Sequence, residues 1–365
     1  MKTLNKIITS TLIASTLTIG FISCKKIDTP ENTSGTGGAK YDNGLFISNE
    51  GSFGAGNGSI SFYNSLSKTV KNNIFSIENS RPLGDVVQSI TKVGDKAYIC
   101  VNGSNKIEVV YANTFKEIST ITTGISSPRY MVSNGTMGYV SNWGNGGELA
   151  MIDLQTNTYT GAITVGSGPE KMAVSNGNLY VANSGGFGLD STISVINTTT
   201  NTVITTINLN AYNPSAIVNG TGNTIWVLAK GRVIYDGSWN VIGHDPSKLV
   251  EINTSTNTVV TTTTLFGTMH PANIDISPDK NTLYFGGSYG FPAIYTVSTQ
   301  NPSTPTSLIS ESNYGFFVNQ SNGNLFILQE ASSSNGKLLR YSPSGTKLGE
   351  YTVGVFPNGG TSKKK

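Results

Sequence analysis

Cysteine and histidine are scarce in this sequence, since each occurs only twice among 365 residues. Cys24 ends an apolar leader, so Cys100 stands alone in the rest of the chain, which can form no internal disulfide and no cysteine-rich metal site. His244 and His270 are too few for a zinc site, and no Ser-His-Asp order or nucleophile elbow surrounds either. These absences argue against a disulfide scaffold, a zinc enzyme and a serine hydrolase.

Charge is also scarce. Charged residues make up 12% of the chain, with 24 Lys and Arg against 21 Asp and Glu. Removing Lys2 and Lys6 with the leader leaves 22 basic residues, so the rest of the chain is nearly neutral. Because a neutral surface offers little for counterion release, we expect no nucleic-acid binding, and the lysines at 363–365 are interpreted as a solvated tail.

Long apolar runs are limited to one segment, residues 7–22, which follows Lys2 and Lys6 and ends at Ser23 and Cys24. It is diluted by Thr and Ser and is too short to span a bilayer comfortably, so it predicts a signal peptide over residues 1–23. Residues 24–43 are rich in Gly, Thr, Ser and charge, which predicts a flexible tether. One interpretation is ordinary secretion with cleavage near Ser23.

The end of the leader favours a second interpretation. A cysteine directly after a small residue resembles the lipobox of bacterial lipoproteins, with Phe21 where that motif usually has Leu. The resemblance implies that Cys24 is lipidated and anchors the chain to a membrane through the tether. Residues 25–28, KKID, resemble the export tags of such lipoproteins, so the expected location is the outer membrane, lipid-anchored and surface-exposed.

Internal repetition is the strongest feature of the sequence. Seven short runs share an apolar residue, an aromatic residue and a second apolar residue, with Gly138 as the one lapse. Their aromatic residues are Phe46, Tyr98, Tyr139, Tyr180, Trp226, Tyr284 and Phe326. These follow one another at 52, 41, 41, 46, 58 and 42 residues, which indicates a unit of about 41 residues with insertions.

The unit at residues 167–210 shows the internal pattern most clearly. Strands are predicted at residues 170–174, 179–182, 192–197 and 202–209, with an Asn- and Gly-containing turn between the first two. Four antiparallel strands repeated seven times, without helical periodicity, predict an all-β fold, a seven-bladed β-propeller of four-stranded blades over residues 44–362. Separate domains are excluded because a unit of about 41 residues cannot bury enough apolar surface alone.

The chain ends predict how the ring closes. The first unit begins with what is a second strand elsewhere, at Leu45, and continues through residues 59–63 and 70–77. The last segment, TVGVFPNGG, repeats the Gly-x-x-Pro sequence that precedes a first strand, and no second strand follows. The N- and C-terminal strands should therefore pair within one blade, the C-terminal one near residues 356–362, which removes two exposed sheet edges.

The repeat resembles a known family. YVSN at residues 139–142 and YVAN at residues 180–183 are similar to the YVTN, or YncE-like, propeller repeat, and the likeness covers residues 44–360. With the leader and the stretch LFISNEGSFGAGNGSISFYN, the chain also resembles propeller lipoproteins of Bacteroidetes with an uncharacterised surface domain. Some of these capture vitamin B12 at the cell surface and pass it to a TonB-dependent transporter. The resemblance implies a nutrient-capturing role.

Candidate binding residues follow from the connections that meet on one face of a propeller, from the fourth strand to the next first strand and from the second strand to the third. Rings recur there next to Asn amides, which suits a large, flat or polyhydroxylated neutral ligand. The predicted ligand-binding residues are Phe53, Arg129, Tyr130, Trp143, Phe187, Tyr212, Trp239, His270, Tyr289 and Tyr314. The same residues could instead close loops and plug the channel. A long insertion at residues 230–247 is expected to be functional.

Three functional hypotheses stay open. The first is a surface lipoprotein, monomeric when free, that captures a nutrient such as a corrinoid for a TonB-dependent receptor. The second is an interaction or scaffold propeller that binds another protein, because aromatic residues serve both roles. The third and least favoured is a lactonase- or lyase-like enzyme. We predict no catalytic residue, cofactor or metal, with a calcium or magnesium site at Glu50, Glu170 and Glu330 as the alternative.

Overall fold

The computed structural model describes residues 40–332 and 334–361. The predicted signal peptide, Cys24 and residues 24–39 of the predicted tether lie outside the described residues, as does Ser362 at the predicted end of the propeller. In the described part of the chain, no helix is long and apolar enough to cross a membrane.

Strands make up most of the described chain. In chain order the strands are β1 (Gly44–Asn49), β2 (Ser59–Asn64), β3 (Thr69–Lys71), β4 (Val87–Val93), β5 (Lys96–Val101), β6 (Lys106–Tyr111), β7 (Glu117–Ile121), β8 (Pro128–Asn134), β9 (Met137–Asn142), β10 (Glu148–Asp153), β11 (Thr158–Thr164), β12 (Pro169–Ser175), β13 (Asn178–Asn183), β14 (Thr192–Asn197), β15 (Thr202–Asn208), β16 (Pro214–Asn219), β17 (Thr224–Ala229), β18 (Arg232–Tyr235), β19 (Val241–Asp245), β20 (Ser247–Asn253), β21 (Thr258–Phe266), β22 (Asn273–Ile276), β23 (Thr282–Gly286), β24 (Ile294–Ser298), β25 (Thr306–Ile309), β26 (Gly315–Val318), β27 (Leu325–Gln329), β28 (Asn335–Tyr341), β29 (Lys347–Val355) and β30 (Pro357–Thr361). The helical segments are α1 (Ile74–Asn79) and two 3₁₀ turns, Asn102–Ser104 and Gly144–Gly146.

Seven four-stranded antiparallel sheets form the blades of a β-propeller, as predicted. Blade 1 has the order β30-β1-β2-β3 from inside to outside, and blades 2, 3 and 4 are β4 to β7, β8 to β11 and β12 to β15. Blade 5 is β16-β17-β20-β21, with the hairpin β18-β19 inserted after its second strand, and blades 6 and 7 are β22 to β25 and β26 to β29. The strand boundaries predicted within residues 167–210 match β12 to β15 to within about two residues.

The inner strands of neighbouring blades run side by side around the central channel. Ser89 Oγ donates to Arg129 O at 2.7 Å, and Thr91 Oγ1 donates to Met131 O at 3.0 Å, which fixes β4 parallel to β8. We call the end where inner strands begin the loop face, since the fourth-to-first and second-to-third connections meet there. The opposite end, with the first-to-second and third-to-fourth connections, is the turn face.

The ring closes as predicted. β30 pairs antiparallel with β1, bringing Ile47 opposite Gly360 and Ser48 opposite Gly359. The last strand of the chain thus becomes the inner strand of the first blade, so neither terminal strand leaves an unpaired edge at the junction.

The repeated aromatic residues join neighbouring blades. Tyr98, Tyr139 and Tyr180 are buried, and their hydroxyls donate to the asparagine Oδ1 of a turn one blade further on. These acceptors are Asn157, Asn201 and Asn257, at 2.8, 2.6 and 2.5 Å, and all three have the left-handed backbone conformation that asparagine tolerates. Where the repeated aromatic residue is one of these three tyrosines, the same hydrogen bond joins successive blades from blade 2 to blade 5.

The strand predicted at residues 70–77 is wrong beyond Lys71. β3 ends there, and residues Ile74–Asn79 form the helix α1. Its buried residues are Ile74, Phe75 and Glu78, a helical spacing that places them on one face, whereas Ile77 is exposed. The buried residues of this segment follow the period of a helix and not the alternation of a strand.

Residues 40–43 pack on the propeller, although the sequence placed them in the tether. Tyr41 is buried, with its ring centre 5.1 Å from that of Phe62 and 5.9 Å from that of Phe115. Its hydroxyl donates to Glu78 Oε1 at 2.6 Å, and its backbone N–H donates to Asn113 O at 3.0 Å. The segment docks through the buried Tyr41 ring and through polar contacts, which include Lys40 with Glu78 and Ser65 N–H with Asn43 O.

Candidate functional site

The loop-face end of the channel is closed by side chains at the starts of the inner strands. Arg129 and Glu170 take equivalent positions in blades 3 and 4, each directly after a proline and beside an irregularity in strand register. Such bulges change the direction of the side chains that follow. Arg129 Nη2 and Nε donate to Glu170 Oε1 at 2.9 and 3.1 Å, so an ion pair bridges the two blades.

Arg129 is enclosed by further partners. Its Nη1 donates to Gln88 Oε1 in blade 2, and its guanidinium carbon lies 4.3 Å from the centre of the Trp143 ring. Trp143 Nε1 donates to Pro169 O at 3.1 Å. Burial acts to lower the pKa of Arg129, but Glu170 together with Tyr130 and Glu50 holds that pKa above its usual value. Removing either charge would leave the other buried and unpaired.

Tyr314 and Glu50 continue this closure into blades 7 and 1. Tyr314 Oη donates to Glu50 Oε2 at 2.8 Å, and burial together with that carboxylate raises the pKa of Tyr314. Asn358 Nδ2 donates to Glu50 Oε1 and to Gln88 O, both at 2.9 Å. Gln88 Nε2 in turn donates to Tyr130 Oη at 3.2 Å. One hydrogen-bonded network thus spans the channel end.

Four predicted binding residues belong to this network or pack on it: Arg129, Tyr130, Trp143 and Tyr314. Their polar groups bond to protein partners and not to solvent, so for these four the structure fits the alternative that they plug the channel.

The remaining predicted aromatic residues project from the same face into solvent. Phe187 is fully exposed, Phe53 is 91% exposed, Trp239 82% and Tyr289 70%, and Tyr212 is exposed to a lesser degree. They lie on connections of blades 1, 4, 5 and 6 and on the connection between blades 4 and 5. Phe187 also meets the Trp143 ring edge-on, at 5.4 Å between centres. A group of rings therefore surrounds the closed end of the channel, and we call Phe53, Phe187, Trp239 and Tyr289 the aromatic rim.

The insertion in blade 5 presents Trp239 on a hairpin. Between β18 and β19 the chain turns around Asp236, whose Oδ1 accepts from the backbone N–H of Asn240 at 2.9 Å, and Trp239 has a left-handed φ of 65°. Tyr235 is exposed beside it, with 5.9 Å between the ring centres. Tyr235 is absent from the predicted binding residues, although its place in the same loop could have indicated it.

The base of the insertion holds two further predicted residues. Arg232 pairs with Asp245, Nε to Oδ2 at 2.6 Å, and its guanidinium carbon lies 5.2 Å from the centre of the Tyr212 ring. The rings of His270 and His244 stack with 5.2 Å between their centres, and Nε2 of His270 lies 2.9 Å from Nδ1 of His244.

Since His270 Nδ1 lies 2.8 Å from Lys230 O, which can only accept, His270 carries its proton on Nδ1 and accepts at Nε2. Burial lowers the pKa of His270, which favours this neutral form.

Three of the asparagines expected beside the rings are not available to a ligand. Asn49, Asn142 and Asn183 end the second strands of their blades and are fully buried. Asn183 Nδ2, for example, donates to Thr192 Oγ1 and Ser194 Oγ, both at 3.0 Å within its own blade. The Asn of the repeat therefore stabilises the blade.

The three carboxylates that were considered as metal ligands each accept hydrogen bonds from different protein groups. Glu50 accepts from Tyr314 and Asn358, Glu170 accepts from Arg129, and Glu330 Oε1 accepts from the backbone N–H of Gly290 at 3.3 Å. Among the described residues, no group of three or more His, Cys, Asp and Glu side chains is arranged to hold a metal ion.

The turn-face end of the channel differs from the loop-face end and was missed by the sequence analysis. Beyond Tyr130 and Lys171 lies a cavity of about 690 Å³, lined by the later residues of the inner strands and by residues of the turns that follow them. Sequence reasoning considered only the connections of the opposite face. Lysines near the inner strands, Lys92, Lys171 and Lys280, were the available signal.

Comparisons with known proteins address the fold and the family. The model of a family described as a domain of unknown function (DUF5074) matches residues 43–347. No curated protein matches this chain.

Solved structures match over most of their length. A functionally unknown protein from Desulfotomaculum acetoxidans has 14% identity and a TM-score of 0.63, covering 87% of this chain and 98% of its own. A candidate 6-phosphogluconolactonase from Bacteroides uniformis has 14% identity and a TM-score of 0.61, covering 88% and 99%. Another, from Bacteroides fragilis, has 13% identity and a TM-score of 0.61, covering 88% and 98%. At these identities the likeness shows the fold alone.

Proposed function

The chain belongs to the DUF5074 family, and from that premise we propose that this propeller is a binding protein of the cell envelope. Its loop face holds a large, mostly neutral ligand, and lipidated Cys24 anchors it at the surface of the outer membrane. A corrinoid that is passed to a TonB-dependent transporter is the cargo that the sequence resemblance favours.

The aromatic rim carries the proposal. Phe53, Phe187, Trp239 and Tyr289 are 70% exposed or more, and each could bury a large apolar area against a ligand. They come from four different blades, so only a large molecule reaches several of them. Because the network of Arg129, Glu170 and Tyr314 closes the channel beneath, such a ligand lies across the face and not along the channel.

The arginines near the rim do not favour an anionic ligand, because both are already paired. Arg129 is paired with Glu170, and Arg232 is paired with Asp245. A charged ligand would have to compete with these partners, whereas rings contribute stacking area irrespective of charge.

A second function, docking of another protein, is favoured by the same exposed rings, because aromatic residues are enriched among the residues that dominate protein interfaces. The third, lactone hydrolysis, is the activity in the description of the two Bacteroides structures, which share only 13 and 14% identity with this chain. Both enter the experiment below as alternative outcomes.

Calorimetry on protein beginning at residue 25, with cyanocobalamin and maltoheptaose as probes, tests the proposal. We expect binding by the wild type and at least a tenfold loss in the variant Phe187→Ser, Trp239→Ser, Tyr289→Ser. The matched control is Leu66→Ser, which removes an exposed apolar side chain of the turn face and should bind normally.

Three results would overturn it. Binding that survives in the triple variant places the site elsewhere. Co-purification of an outer-membrane protein through the same rings, with neither probe bound, establishes the docking function. Turnover of 6-phosphogluconolactone establishes the enzyme.

A further inference from the structure

The central channel is open at the turn face, opposite the aromatic rim. The cavity of about 690 Å³ is lined by residues from the inner strands of all seven blades, and its outer lining includes the turn residues Gly94, Lys280 and Gln320. Its volume lies in the range of sites that bind small organic molecules. Nothing in the proposed function uses this cavity.

Basic side chains outnumber acidic ones in the lining. The lining contains three lysines, Lys92, Lys171 and Lys280, and one carboxylate, that of Asp275. Asp275 is already engaged, because its Oδ1 accepts from the backbone N–H of Ile276 and its Oδ2 from that of Val318, both at 2.8 Å. The lining therefore holds more basic than acidic groups, and one of the lysines, Lys280, also donates from Nζ to Asn219 O at 2.7 Å.

Lys171 lies at the inner end of the cavity with hydrogen-bonding capacity to spare. Its ammonium donates to Asn273 Oδ1 at 2.7 Å and lies 5.5 Å from the centre of the Tyr130 ring. An ammonium has three N–H groups, and within the described residues this is the only hydrogen bond it makes, so two donors remain. Burial lowers the pKa of Lys171, although Asp275 and Glu170 oppose that effect. An anion beside it would restore the lost solvation of the charge.

The lining around these charges is mixed, with polar and apolar surface exposed in similar amounts. Met131, Met172, Ile217 and Phe317 line the cavity between its two ends. A molecule with an apolar body could bury that body against these side chains while its charged end reaches Lys171.

We propose that the turn-face cavity is a second binding site, which takes a small organic anion with an apolar body. The anionic group accepts hydrogen bonds from the Lys171 ammonium, Lys92 and Lys280 attract it at the mouth, and the apolar body contacts Met131, Met172 and Phe317. This site is separate from the aromatic rim, since the Arg129 and Glu170 network lies between them.

Fluorescence titration with two probes of the same shape tests this site. 8-Anilinonaphthalene-1-sulfonate is anionic, and N-phenyl-1-naphthylamine has the same ring system without the charge. We expect the wild type to bind the anionic probe at one site, at least tenfold more tightly than the neutral probe. Lys171→Met should bind the anionic probe about tenfold more weakly than the wild type and the neutral probe with unchanged affinity. Lys171→Arg should still bind the anionic probe.

Matched variants locate the site. Lys337→Met removes a lysine on the outside of blade 7 and should bind both probes normally, as should the triple variant of the aromatic rim. The proposal is wrong if Lys171→Met binds the anionic probe as tightly as the wild type does. It is also wrong if the wild type binds the neutral probe as tightly as the anionic one, or if the triple variant of the aromatic rim no longer binds the anionic probe.

A test on the wild type alone covers the case in which Lys171→Met does not fold. Hexanoate should displace the anionic probe at concentrations where hexanol does not. Equal displacement by the two compounds would show that charge does not govern the cavity.

Discussion

The two ends of the central channel use charged residues in opposite ways. At the loop face, Arg129 and Glu170 occupy the same position of neighbouring repeats with opposite charges, and they neutralise each other across the blade boundary. At the turn face, Lys92, Lys171 and Lys280 share one cavity with a single, already bonded carboxylate. The repeat fixes the backbone of both ends alike, and the individual residues on the inner strands decide which end is sealed.

Opening the ring should disrupt both ends and have the largest effect. Truncation after Phe356 removes β30, its pairing with β1, and Asn358, which bonds to Glu50. Since several hydrogen bonds of about 1 kcal/mol each are lost and strand edges are exposed, we expect a loss on the order of 5 kcal/mol in unfolding free energy. Urea denaturation followed by circular dichroism measures it.

The control for this truncation ends the chain after Thr361 and keeps β30. It should unfold at the same urea concentration as the full chain. If the chain truncated after Phe356 also unfolded at the urea concentration of the full chain, closure by the terminal strand would not stabilise the propeller.

Breaking only the sealed end should cost less. Arg129→Met leaves the buried Glu170 carboxylate without its partner, and we expect a loss of about 3 kcal/mol in unfolding free energy. Lys337→Met breaks an exposed pair with Glu350 and should cost less than about 1 kcal/mol. Equal midpoints of urea denaturation for the two variants would show that the buried pair does not hold the loop-face end together.

Acidification should weaken the base of the insertion at the loop face. Because burial lowers the pKa of His270 in the folded state, the unfolded chain takes up the proton first, and stability falls as pH drops below about 6.5. We expect His270→Gln to cost about 1 kcal/mol at pH 7.5, where the hydrogen bonds to Lys230 and His244 are intact, and less at pH 5. Thermal unfolding across this range measures the difference, and parallel profiles for the two proteins would contradict it.

The aromatic rim should matter least for stability. Replacing Phe187, Trp239 and Tyr289 by Ser should change the unfolding free energy by only about 0.5 kcal/mol, because these rings are already in water. Phe115→Ala, which empties a fully buried site, should cost about 3 to 5 kcal/mol. A large loss in the rim variant would mean that its rings serve packing and not recognition.

The fold could be predicted from sequence because it repeats. An aromatic residue about every 41 positions, an Asn- and Gly-containing turn before it and an unpaired strand at each end together determine the number of blades and the closure between β1 and β30. Helix α1 was missed because Ile74 and Phe75 were assigned to the preceding strand, although Asn72 and Asn73 interrupt the strand pattern. The repeat pattern predicts a fourth strand in each blade, and that prediction was given more weight than the local sequence.

The candidate site was predictable in part. Topology alone places the loop connections on one face, so the exposed rings of Phe53, Phe187 and Trp239 could be expected together. The ion pair of Arg129 and Glu170 could also be predicted, because opposite charges stand at the same position of two neighbouring repeats. The cavity was not, because its volume depends on how side chains from all seven inner strands fill the channel.

Hydroxyl-radical footprinting of the protein in the cells that make it tests most directly whether the loop face is the surface that binds. We predict that Phe53, Phe187 and Trp239 are oxidised several-fold less in the cell envelope than in purified protein, while Leu66 on the turn face reacts equally in both. Equal oxidation of the three rings in cells and in solution, with Leu66 protected instead, would contradict the assignment of recognition to the aromatic rim.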